Sequence, residues 1–446
     1  MSAIPVNRVE VKFFYTLLMD TLKNLLKKSL GDLRMGKTVV QLGYGMQGRA
    51  SLFDLVNCDL VESVVVADSS PGLSEEVSKL GSKKVTAVNL DASDPVAVKE
   101  LITKADVVVE LLPGFLAFQT AKTAAEARVS LVSSMYLTNP GEQDPLRVEA
   151  QRKELDELDR MAREAGITIL QEFGMDPGID LVLGSRALKE LDEVHVFHSY
   201  GAGFPELASS GNPLRYKFTW SIIGVMRSYL RPAKVFDNGR VVEIPADEMF
   251  SPKNTHILDL QEMGGPLECF PNGDSEHFAR LFGLEGKVRS MGRYICRWPG
   301  HGAFWETMAK CGFLCEKPVR CGNKEISPVE FCASLLGSQE QFYYRDDERD
   351  VALIRADVRG LKDGKKKRVI WQITDRRDLV TGFTAMQRTV GFPMSIGAQM
   401  ILDGRISQTG VVDPTEVPFE PYMEELQRRG LAAGRVEEEW EGDLNP

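Results

Sequence analysis

Long apolar runs are missing from this 446-residue chain, and no stretch reaches the roughly 20 residues that a membrane-spanning helix needs. The first residues also lack the pattern of a cleavable signal peptide. Cysteine is sparse: seven residues, an odd number, are scattered along the chain, which argues against a secreted disulfide framework. We therefore expect a cytoplasmic protein that binds no membrane.

Basic charge is in deficit. The 54 Lys and Arg residues are outnumbered by 64 Asp and Glu, which gives a formal net charge of −10. Binding to nucleic acid phosphates requires clustered Lys and Arg, so we expect no nucleic acid partner. The one basic run, 365–368, follows Asp363-Gly364, a pair typical of a hairpin turn, and we predict that it begins a solvated hairpin strand.

Metal-ligand spacing is also lacking. Cys311, Cys315 and Cys321 lie close together, but they form no C-x-x-C pair and no histidine stands at ligand distance in the sequence. We expect ordinary thiols there and no metal site. His198 falls in a predicted strand and is interpreted as a core histidine, and no feature of the sequence indicates a reactive thiolate at Cys269.

What is present is a glycine-rich turn in an informative setting. The run 38–42 is apolar, the segment GYGMQG follows it directly, and Asp68 closes a second apolar run about twenty residues later. This is the G-x-G-x-x-G fingerprint of a dinucleotide-binding βαβ unit. Gly43 permits the turn, Gly45 lets the backbone approach a pyrophosphate at the helix N-terminus, and Gly48 lets helix and strand pack closely.

The fingerprint also predicts which dinucleotide binds. A carboxylate at Asp68 would accept hydrogen bonds from the adenosine ribose and repel a 2′-phosphate, so we expect NAD rather than NADP. The end of a later strand supplies further contacts to the same ligand. The predicted cofactor-binding residues are Gly43, Tyr44, Gly45, Met46, Gln47, Gly48, Asp68, Leu112 and Pro113.

The pattern along the chain predicts an α/β protein. Apolar runs alternate with amphipathic helical stretches up to about residue 170, which is typical of a doubly wound parallel sheet of the Rossmann type. Six strands are predicted, at 38–42, 63–67, 85–88, 106–112, 129–133 and 167–171. Beyond the segment GMDPG the chain is rich in alternating, β-prone stretches, which predicts a second, α+β domain on a mixed or antiparallel sheet.

We predict four segments from these patterns. Residues 1–35 form an N-terminal extension, either helical or disordered, and residues 36–175 form the Rossmann domain. Residues 176–390 form a second domain that holds the substrate. In 391–446 a helix, expected at 395–402, returns to the Rossmann domain, and an acidic tail follows that is too polar to bury.

Five segments beyond the glycine turn occur in a familiar order. They are the turn DPG at 176–178, SYGAGFP at 199–205, NPLRYKFTWS at 212–221, CFPNGDS at 269–275 and TVGFP at 389–393. Together they resemble the saccharopine dehydrogenase family over nearly the whole chain, from about residue 35 to about residue 430. That family includes glutamate-forming saccharopine dehydrogenases and lysine 6-dehydrogenases.

The resemblance implies a nucleotide-dependent oxidoreductase that acts on the carbon–nitrogen bond of a lysine-derived amino acid. The amine carbon would give a hydride to the nicotinamide, and water would then hydrolyse the imine. Asp176 is the expected group for the substrate ammonium or for proton handling, although an Asp at this turn could instead cap the following helix. The implied substrate-binding residues are Ser134, Tyr136, Asp176, Lys217, Thr219 and Ser221.

Two departures from the family pattern bear on the substrate. Ile223 and Gly273 stand where the glutamate-forming enzyme has arginines, the natural clamps for carboxylates. Saccharopine carries three carboxylates, so the absence of the two arginines favours lysine 6-dehydrogenase, as does the predicted NAD preference. The amino-acid sequences of the motifs instead favour saccharopine dehydrogenase. Lys217 could bind a carboxylate or be an ordinary surface lysine. We expect saccharopine as substrate, with lysine as the alternative.

Other classes of protein remain as alternatives. A non-catalytic NAD-binding scaffold or redox sensor would keep the fold without turnover. A hydroxy-acid or sugar dehydrogenase shares the fingerprint, but no Tyr-x-x-x-Lys pair follows the fifth strand. We expect a homodimer, the commonest assembly of soluble oligomers.

Overall fold

The computed structural model of the protein describes residues 36–139, 141–142 and 144–442. The extension predicted over 1–35 lies outside the described residues. The described chain is organised around two large sheets, one of seven strands and one of nine, with a small two-stranded hairpin besides. This α/β architecture, with a Rossmann sheet followed by a second sheet domain, confirms the predicted fold class.

The first sheet is parallel throughout. Its strand order is β17-β6-β5-β4-β1-β2-β3, and all six predicted strands are present. Its elements up to residue 170 are β1 (Lys37–Leu42), α1 (Met46–Val56), β2 (Val61–Asp68), α2 (Leu73–Ser78), β3 (Val85–Asn89), α3 (Pro95–Ile102), β4 (Val107–Glu110), α4 (Ala117–Ala127), β5 (Ser130–Ser133), α5 (Pro145–Ala165) and β6 (Thr168–Leu170). Helices cover both faces, so the inner strands β4, β5 and β6 are apolar and almost entirely buried.

The second sheet is mixed, because β12 runs parallel to β7 while its other pairs are antiparallel. Its main strand order is β10-β11-β12-β7-β15-β16-β18. Its elements, with the intervening helices, are α6 (Ile179–Leu188), β7 (Glu193–Pro205), α7 (Ile222–Ser228), β8 (Ala233–Asp237), β9 (Arg240–Ile244), β10 (His256–Leu260), β11 (Gly265–Pro271), α8 (Ser275–Leu281), β12 (Ser290–Arg297), α9 (His301–Lys310), β13 (Val319–Cys321), β14 (Lys324–Ile326), α10 (Pro328–Gly337), β15 (Asp350–Lys362) and β16 (Lys365–Arg376). The basic run 365–368 begins β16 of a hairpin, as predicted.

The C-terminal part of the chain returns to both sheets. It contains α11 (Ala385–Leu402), β17 (Gly410–Val412), α12 (Phe419–Arg428) and β18 (Ala433–Glu439). The expected helix starts at Ala385 rather than at residue 395, because Thr384 and Gln387 form a capping box upstream of the predicted start. Strand β17 adds a seventh strand to the first sheet, which the sequence did not predict.

The acidic tail differs from expectation in one respect. Its side chains are exposed, as predicted, but its backbone pairs with β16 as strand β18 of the second sheet. Acidic side chains suit an exposed edge, where they discourage further pairing. The domain boundaries near residues 175 and 390 stay predictions.

Helix α11 brings the two sheets together at the glycine turn. It packs against α1, and a side chain at Gly391 would stand 2.7 Å from the carbonyl oxygen of Gln47. Gln387 also donates a hydrogen bond of 2.7 Å to the carbonyl of Met46. The turn is therefore held against the second domain. No helix in the described ranges is long and apolar enough to cross a bilayer.

Candidate functional site

The glycine turn has the geometry that the fingerprint predicts. Gly43 has φ +98°, and a side chain there would lie 2.5 Å from the carbonyl of Leu111, while one at Gly48 would lie 2.4 Å from the carbonyl of Gly43. Gln41 donates hydrogen bonds of 2.9 Å to the carbonyls of Gly43 and Gly48 and fixes the turn from below. Helix α1 begins at Met46, inside the glycine-rich segment.

The same turn fits the phosphates of a dinucleotide. No side chain caps α1, and a side chain added at Gly45 would meet no described atom within 4 Å. The N–H groups of the first turn of α1 are therefore directed at a surface that a pyrophosphate can approach closely. Leu112 and Pro113 lie just beyond the end of β4, where Glu110 accepts a 2.8 Å hydrogen bond from the Leu112 N–H. The predicted cofactor-binding residues of the two strand ends thus meet at one edge of the sheet.

Asp68 is engaged within its own loop. Its carboxylate accepts hydrogen bonds from the Tyr44 N–H at 2.7 Å and from the Ser70 N–H and hydroxyl at 2.8 and 2.5 Å. Burial alone would raise the pKa of Asp68, but these hydrogen bonds hold it below its usual value. The carboxylate thus ties β2 to the glycine turn. Its position at the end of the strand does not by itself decide whether the adenosine ribose carries a 2′-phosphate.

A buried ionic cluster lies where the two domains join. Arg293, on β12, is 3% exposed and forms ion pairs with Asp176 and, at 2.7 Å, with Asp180. Its guanidinium also donates to the Tyr136 hydroxyl at 3.3 Å and covers the ring of Phe278 at 4.0 Å. Asp176 does not cap α6: that helix has no side-chain cap, and Asp180 accepts from the Gly178 N–H. The helix-cap interpretation of Asp176 is therefore wrong.

Burial shifts the pKa of two carboxyl groups of this cluster upwards, towards neutral pH. Burial raises the pKa of Glu172 to about 8 and that of Asp180 to about 7. Burial likewise raises the pKa of Tyr136 to about 12, despite the nearby Arg293. At neutral pH Glu172 consequently keeps its carboxyl proton, and a site that moves protons requires such a proton-holding group.

The predicted residues of the first domain meet this cluster. The Ser134 hydroxyl is buried without a hydrogen-bond partner among the described residues, and the position of a side chain at Gly174 lies 3.4 Å from its Cβ. On β7, a side chain at Gly201 would overlap the carboxylate of Asp176. Ser134, Tyr136 and Asp176 thus converge, and Gly201 leaves the room that Asp176 occupies.

The NPLRYKFTWS segment divides into three roles. The carbonyl of Thr219 accepts a 3.4 Å hydrogen bond from Gln47, so this segment reaches the glycine turn. Lys217 is buried and paired with Glu348 at 2.5 Å, and is therefore no surface lysine. Ser221 caps α7 by accepting from the Gly224 N–H at 3.2 Å. The structure brings Thr219 to the site but commits the side chains of Lys217 and Ser221 to other partners.

A second buried arginine forms no ion pair with a carboxylate of the described chain. Arg297, at the end of β12, is 4% exposed, and no Asp or Glu in the described part of the chain pairs with it. Its Nε has no partner within the described ranges, one Nη donates to the Cys296 carbonyl at 2.9 Å, and the guanidinium lies 4.8 Å from the centre of the Tyr216 ring. The buried hydroxyls of Tyr216 and Tyr344 are also without partners among the described residues.

Glu268 stands opposite Arg297 in the pairing of β11 with β12, but its carboxylate accepts hydrogen bonds from two backbone N–H groups and forms no ion pair with Arg297. The other polar side chains around Arg297 are neutral. His301 Nδ1 donates to the Leu214 carbonyl at 3.1 Å, so its Nε2 accepts from the Tyr229 hydroxyl at 2.8 Å. Burial, reinforced by Arg297, lowers the pKa of His301 to about 3. The Tyr229 oxygen in turn accepts from Arg297. The positive charge of Arg297 is thus hydrogen-bonded but not compensated.

Sequence reasoning missed Arg293, Arg297 and Glu172. Asp180 had a signal, since it follows the DPG turn closely, but the two arginines lie in a strand that carries no motif. Arg293 and Arg297 are four residues apart, so they point to the same face of β12, roughly 13 Å from each other. Register pairs Arg293 with Ser199 and Ile295 with Gly201, which places both arginines on the face that holds Asp176.

A Rossmann sheet with an open glycine turn, joined to a second sheet through a buried ionisable cluster, defines the class of two-domain dinucleotide-binding proteins. Two family models match the chain: the saccharopine dehydrogenase NADP binding domain over residues 39–170 and the saccharopine dehydrogenase C-terminal domain over residues 174–431. The chain therefore belongs to the saccharopine dehydrogenase family, which confirms the resemblance found in its sequence.

Individual relatives agree with this membership. A saccharopine dehydrogenase [NADP(+), L-glutamate-forming] of Saccharomyces cerevisiae is 26% identical over 459 residues, which cover 88% of this chain and 97% of that protein. An alpha-aminoadipic semialdehyde synthase of Arabidopsis thaliana is 26% identical over 79% of this chain, but the chain spans only 38% of that protein. The structure of apo saccharopine dehydrogenase (L-Glu forming) from S. cerevisiae matches with a TM-score of 0.75 at 23% identity, covering 90% of this chain and all of the other.

The predicted NAD preference is wrong. The matching family model is an NADP binding domain, and the S. cerevisiae relative is named as NADP(+)-dependent. The physical reason for the error lies at Asp68, whose carboxylate oxygens are already bonded to Tyr44 and Ser70. An acid at the end of the second strand repels a 2′-phosphate only if its charge is free to face the ribose.

Proposed function

We propose that this protein is an NADP-dependent oxidoreductase that oxidises the secondary amine of saccharopine, after which water splits the resulting imine and releases L-glutamate. The glycine turn and the first turn of α1 would hold the dinucleotide, which supplies hydride acceptance when bound. The observation that carries the proposal is the uncompensated Arg297 on the same strand face as the Asp176–Arg293 pair.

Arg297 fits the carboxylate-bearing arm of such a substrate. An uncompensated buried guanidinium is costly, and a bidentate carboxylate is its natural partner. The hydroxyls of Tyr216 and Tyr344 stand ready to donate to the same carboxylate. Neither Ile223, packed on helix α7, nor Gly273 can supply this charge. Arg297 would thus supply a positive charge for the substrate in place of the two family arginines that this chain lacks.

The other end of the substrate belongs at the junction of the two domains. A substrate ammonium group would pair with Asp176, whose carboxylate Arg293 holds in place. Ser134 and Tyr136 would contact the same part of the substrate, and Thr219 would contact it from the second domain. The neutral carboxyl of Glu172 would serve as a nearby source of the proton that imine hydrolysis requires. Lys217 and Ser221 are left out of this proposal because their side chains are already occupied.

Lysine as the substrate is less well supported. Lysine carries one carboxylate, and binding it near Asp176 would leave Arg297 uncompensated some 13 Å away along the strand. A non-catalytic scaffold would have no use for a proton-holding cluster beside an open glycine turn. Lysine as the substrate would therefore leave Arg297 without a role, and a scaffold would leave the ionic cluster without one.

The test is turnover by the full chain. Purified protein is mixed with saccharopine and NADP, and the reduced-nicotinamide absorbance is followed, with NAD and with lysine as matched comparisons. We expect turnover of saccharopine with NADP and none of lysine. Absence of any signal with saccharopine and either nucleotide would contradict the proposal, and turnover of lysine alone would transfer it to the alternative substrate.

We also propose that the protein works as a homodimer in the cytoplasm. Closed two-fold dimers are the commonest assembly of soluble oligomers, and the seven cysteines are all free, as a reducing compartment allows. Light scattering after size exclusion tests the dimer, since a monomeric mass across the working concentration range would contradict it. Fluorescent fusion of the full chain tests its location.

A further inference from the structure

A second polar pocket lies on the opposite face of β7. It has a volume of about 410 Å³, and its wall includes His198, Tyr200, His256, Arg355, Asp357, Arg359 and Arg368. Side chains alternate across a strand, so His198 and Tyr200 face this pocket while Ser199 and Gly201 face Asp176. The pocket and the proposed active site are therefore separated by the sheet.

Three arginines in this pocket face one aspartate. Register places Arg355, Asp357 and Arg359 on the same face of β15, with Arg368 opposite Arg359 on β16. Arg359 and Arg368 donate five hydrogen bonds to the two oxygens of Asp357, at 2.5–3.4 Å. A carboxylate offers about four lone-pair sites, so these two arginines exhaust Asp357.

Arg355 is left over. Its closest approach to Asp357 is 3.7 Å, from Nη2, and its other Nη donates to the amide oxygen of Gln372 at 2.8 Å. Its Nε is buried and has no partner among the described residues, and the side chain as a whole is only 9% exposed. A buried guanidinium in this condition needs an anion.

No carboxylate in the described part of the chain approaches Arg355 more closely than Asp357 to form an ion pair. Glu262 acts on Arg355 electrostatically, but it is exposed and accepts a hydrogen bond from Gln372 at 3.1 Å. Glu438, on β18, pairs with Arg368 at 2.8 Å, and Asp259 lies exposed at the rim, hydrogen-bonded to Gln261. Burial lowers the pKa of His198 to about 3 and lowers that of His256, so both imidazoles are neutral. The two imidazoles and the Tyr200 hydroxyl therefore give the pocket wall polar groups without charge.

We propose that this pocket is a binding site for a small oxyanion, a phosphate or a carboxylate group, held by the guanidinium of Arg355, whose Nε has no partner among the described residues. The site lies on the outer face of the second sheet and is distinct from the substrate and dinucleotide sites. Arg359 and Arg368 keep Asp357 neutralised, so the anion meets the positive charge of Arg355. Trp440, which stacks on Arg359 at 4.4 Å and on Arg368 at 5.4 Å, lies beside it.

Calorimetric titration of the full chain tests the proposal. Inorganic phosphate and glutarate are titrated separately, with chloride of equal ionic strength as the blank. NADPH and saccharopine, which cannot react with each other, are present at saturation to occupy the other anion sites. We expect saturable binding of at least one probe, and the better probe identifies phosphate or carboxylate chemistry. No saturable heat above the chloride blank for either probe would overturn the proposal.

Variants locate the binding. Arg355→Gln removes the guanidinium and is expected to raise Kd at least tenfold, which corresponds to ~1.4 kcal/mol. Ile257→Trp narrows the exposed mouth of the pocket without changing any charge and should weaken binding as well. Arg376→Gln, on the same strand as Arg368 but paired with Glu206 outside the pocket, is the matched control. Binding that survives both Arg355→Gln and Ile257→Trp would place the anion elsewhere and refute the site.

Discussion

Replacement of Arg297 by methionine is the sharpest test of how the substrate is held. The variant keeps a long, flexible side chain in the aromatic core and removes only the guanidinium. Hydrogen bonds to a charged group contribute about 1.5–3 kcal/mol each, so the loss of one such contact to a substrate carboxylate raises KM about 10- to 150-fold. Because this contact does not change during the reaction, kcat should change far less than KM.

A truncated substrate turns this change into a double-mutant cycle. In the analogue, an alanine arm replaces the glutamate arm, so the secondary amine stays and the terminal carboxylate is gone. The wild-type protein should lose about the same 10- to 150-fold in kcat/KM on the analogue, whereas the Arg297→Met variant should use both substrates equally poorly. Equal losses on the analogue for wild type and variant would refute the pairing of Arg297 with that carboxylate.

Stability of the unliganded variant supplies an independent check. Removing an uncompensated buried charge is favourable, and losing its hydrogen bonds to the Cys296 carbonyl and to Tyr229 is unfavourable. These effects offset one another, so we expect the unfolding free energy to change by no more than about 1 kcal/mol. A loss of about 3–5 kcal/mol, typical of breaking a buried ion pair, would mean that Arg297 already has a counter-charge.

Three further predictions follow from the site. Glu172 binds its proton more tightly in the folded state than in the unfolded state, so its contribution to stability is full below its ordinary pKa of 4.5 and is lost as the pH rises towards about 8. Glu172→Gln should flatten the decline of the urea midpoint between pH 5 and about 8, and an unchanged slope would contradict this. Gly45→Ala should leave the urea midpoint unchanged and weaken NADP binding at least tenfold. Gly48→Ala should weaken binding and also lower the urea midpoint, because its side chain would meet the Gly43 carbonyl. Equal urea midpoints for the two variants would refute this distinction. Gly201→Ala should displace the Asp176 carboxylate and lower kcat/KM for saccharopine with little effect on NADP affinity, and an unaltered kcat/KM would remove Asp176 from the substrate-binding role.

The sequence predicted the parts of this fold whose causes are local. The glycine turn and the six strands follow from short-range patterns, because a buried parallel strand needs a continuous apolar run and a tight turn needs glycine. Strand β17 escaped prediction because only three residues pair with β6, and they come from the far end of the chain. Helix α11 was placed too late because Pro393, a helix breaker in most contexts, lies in its interior.

The site was less predictable because its charges are set by distant neighbours. Asp68 looks from the sequence like a ribose ligand, but its partners Tyr44 and Ser70 are visible only in the fold. Lys217 is paired with Glu348, which lies more than a hundred residues away in the chain. Neither fact leaves a local signature. Spacing predicts where a side chain stands, whereas its charge state and its partners depend on the folded surroundings.

Strand β12 shows how the same residue type takes two roles at one site. Arg293 has its charge met by Asp176 and Asp180, so it can position a carboxylate but has little left for a ligand. Arg297, four residues on and equally buried, meets only neutral acceptors and keeps its charge for a ligand. The rise of a strand sets their separation at roughly 13 Å, which suits a long substrate with charged groups at both ends. The partners of each arginine, rather than its identity, therefore decide which one positions an acid and which one binds the substrate.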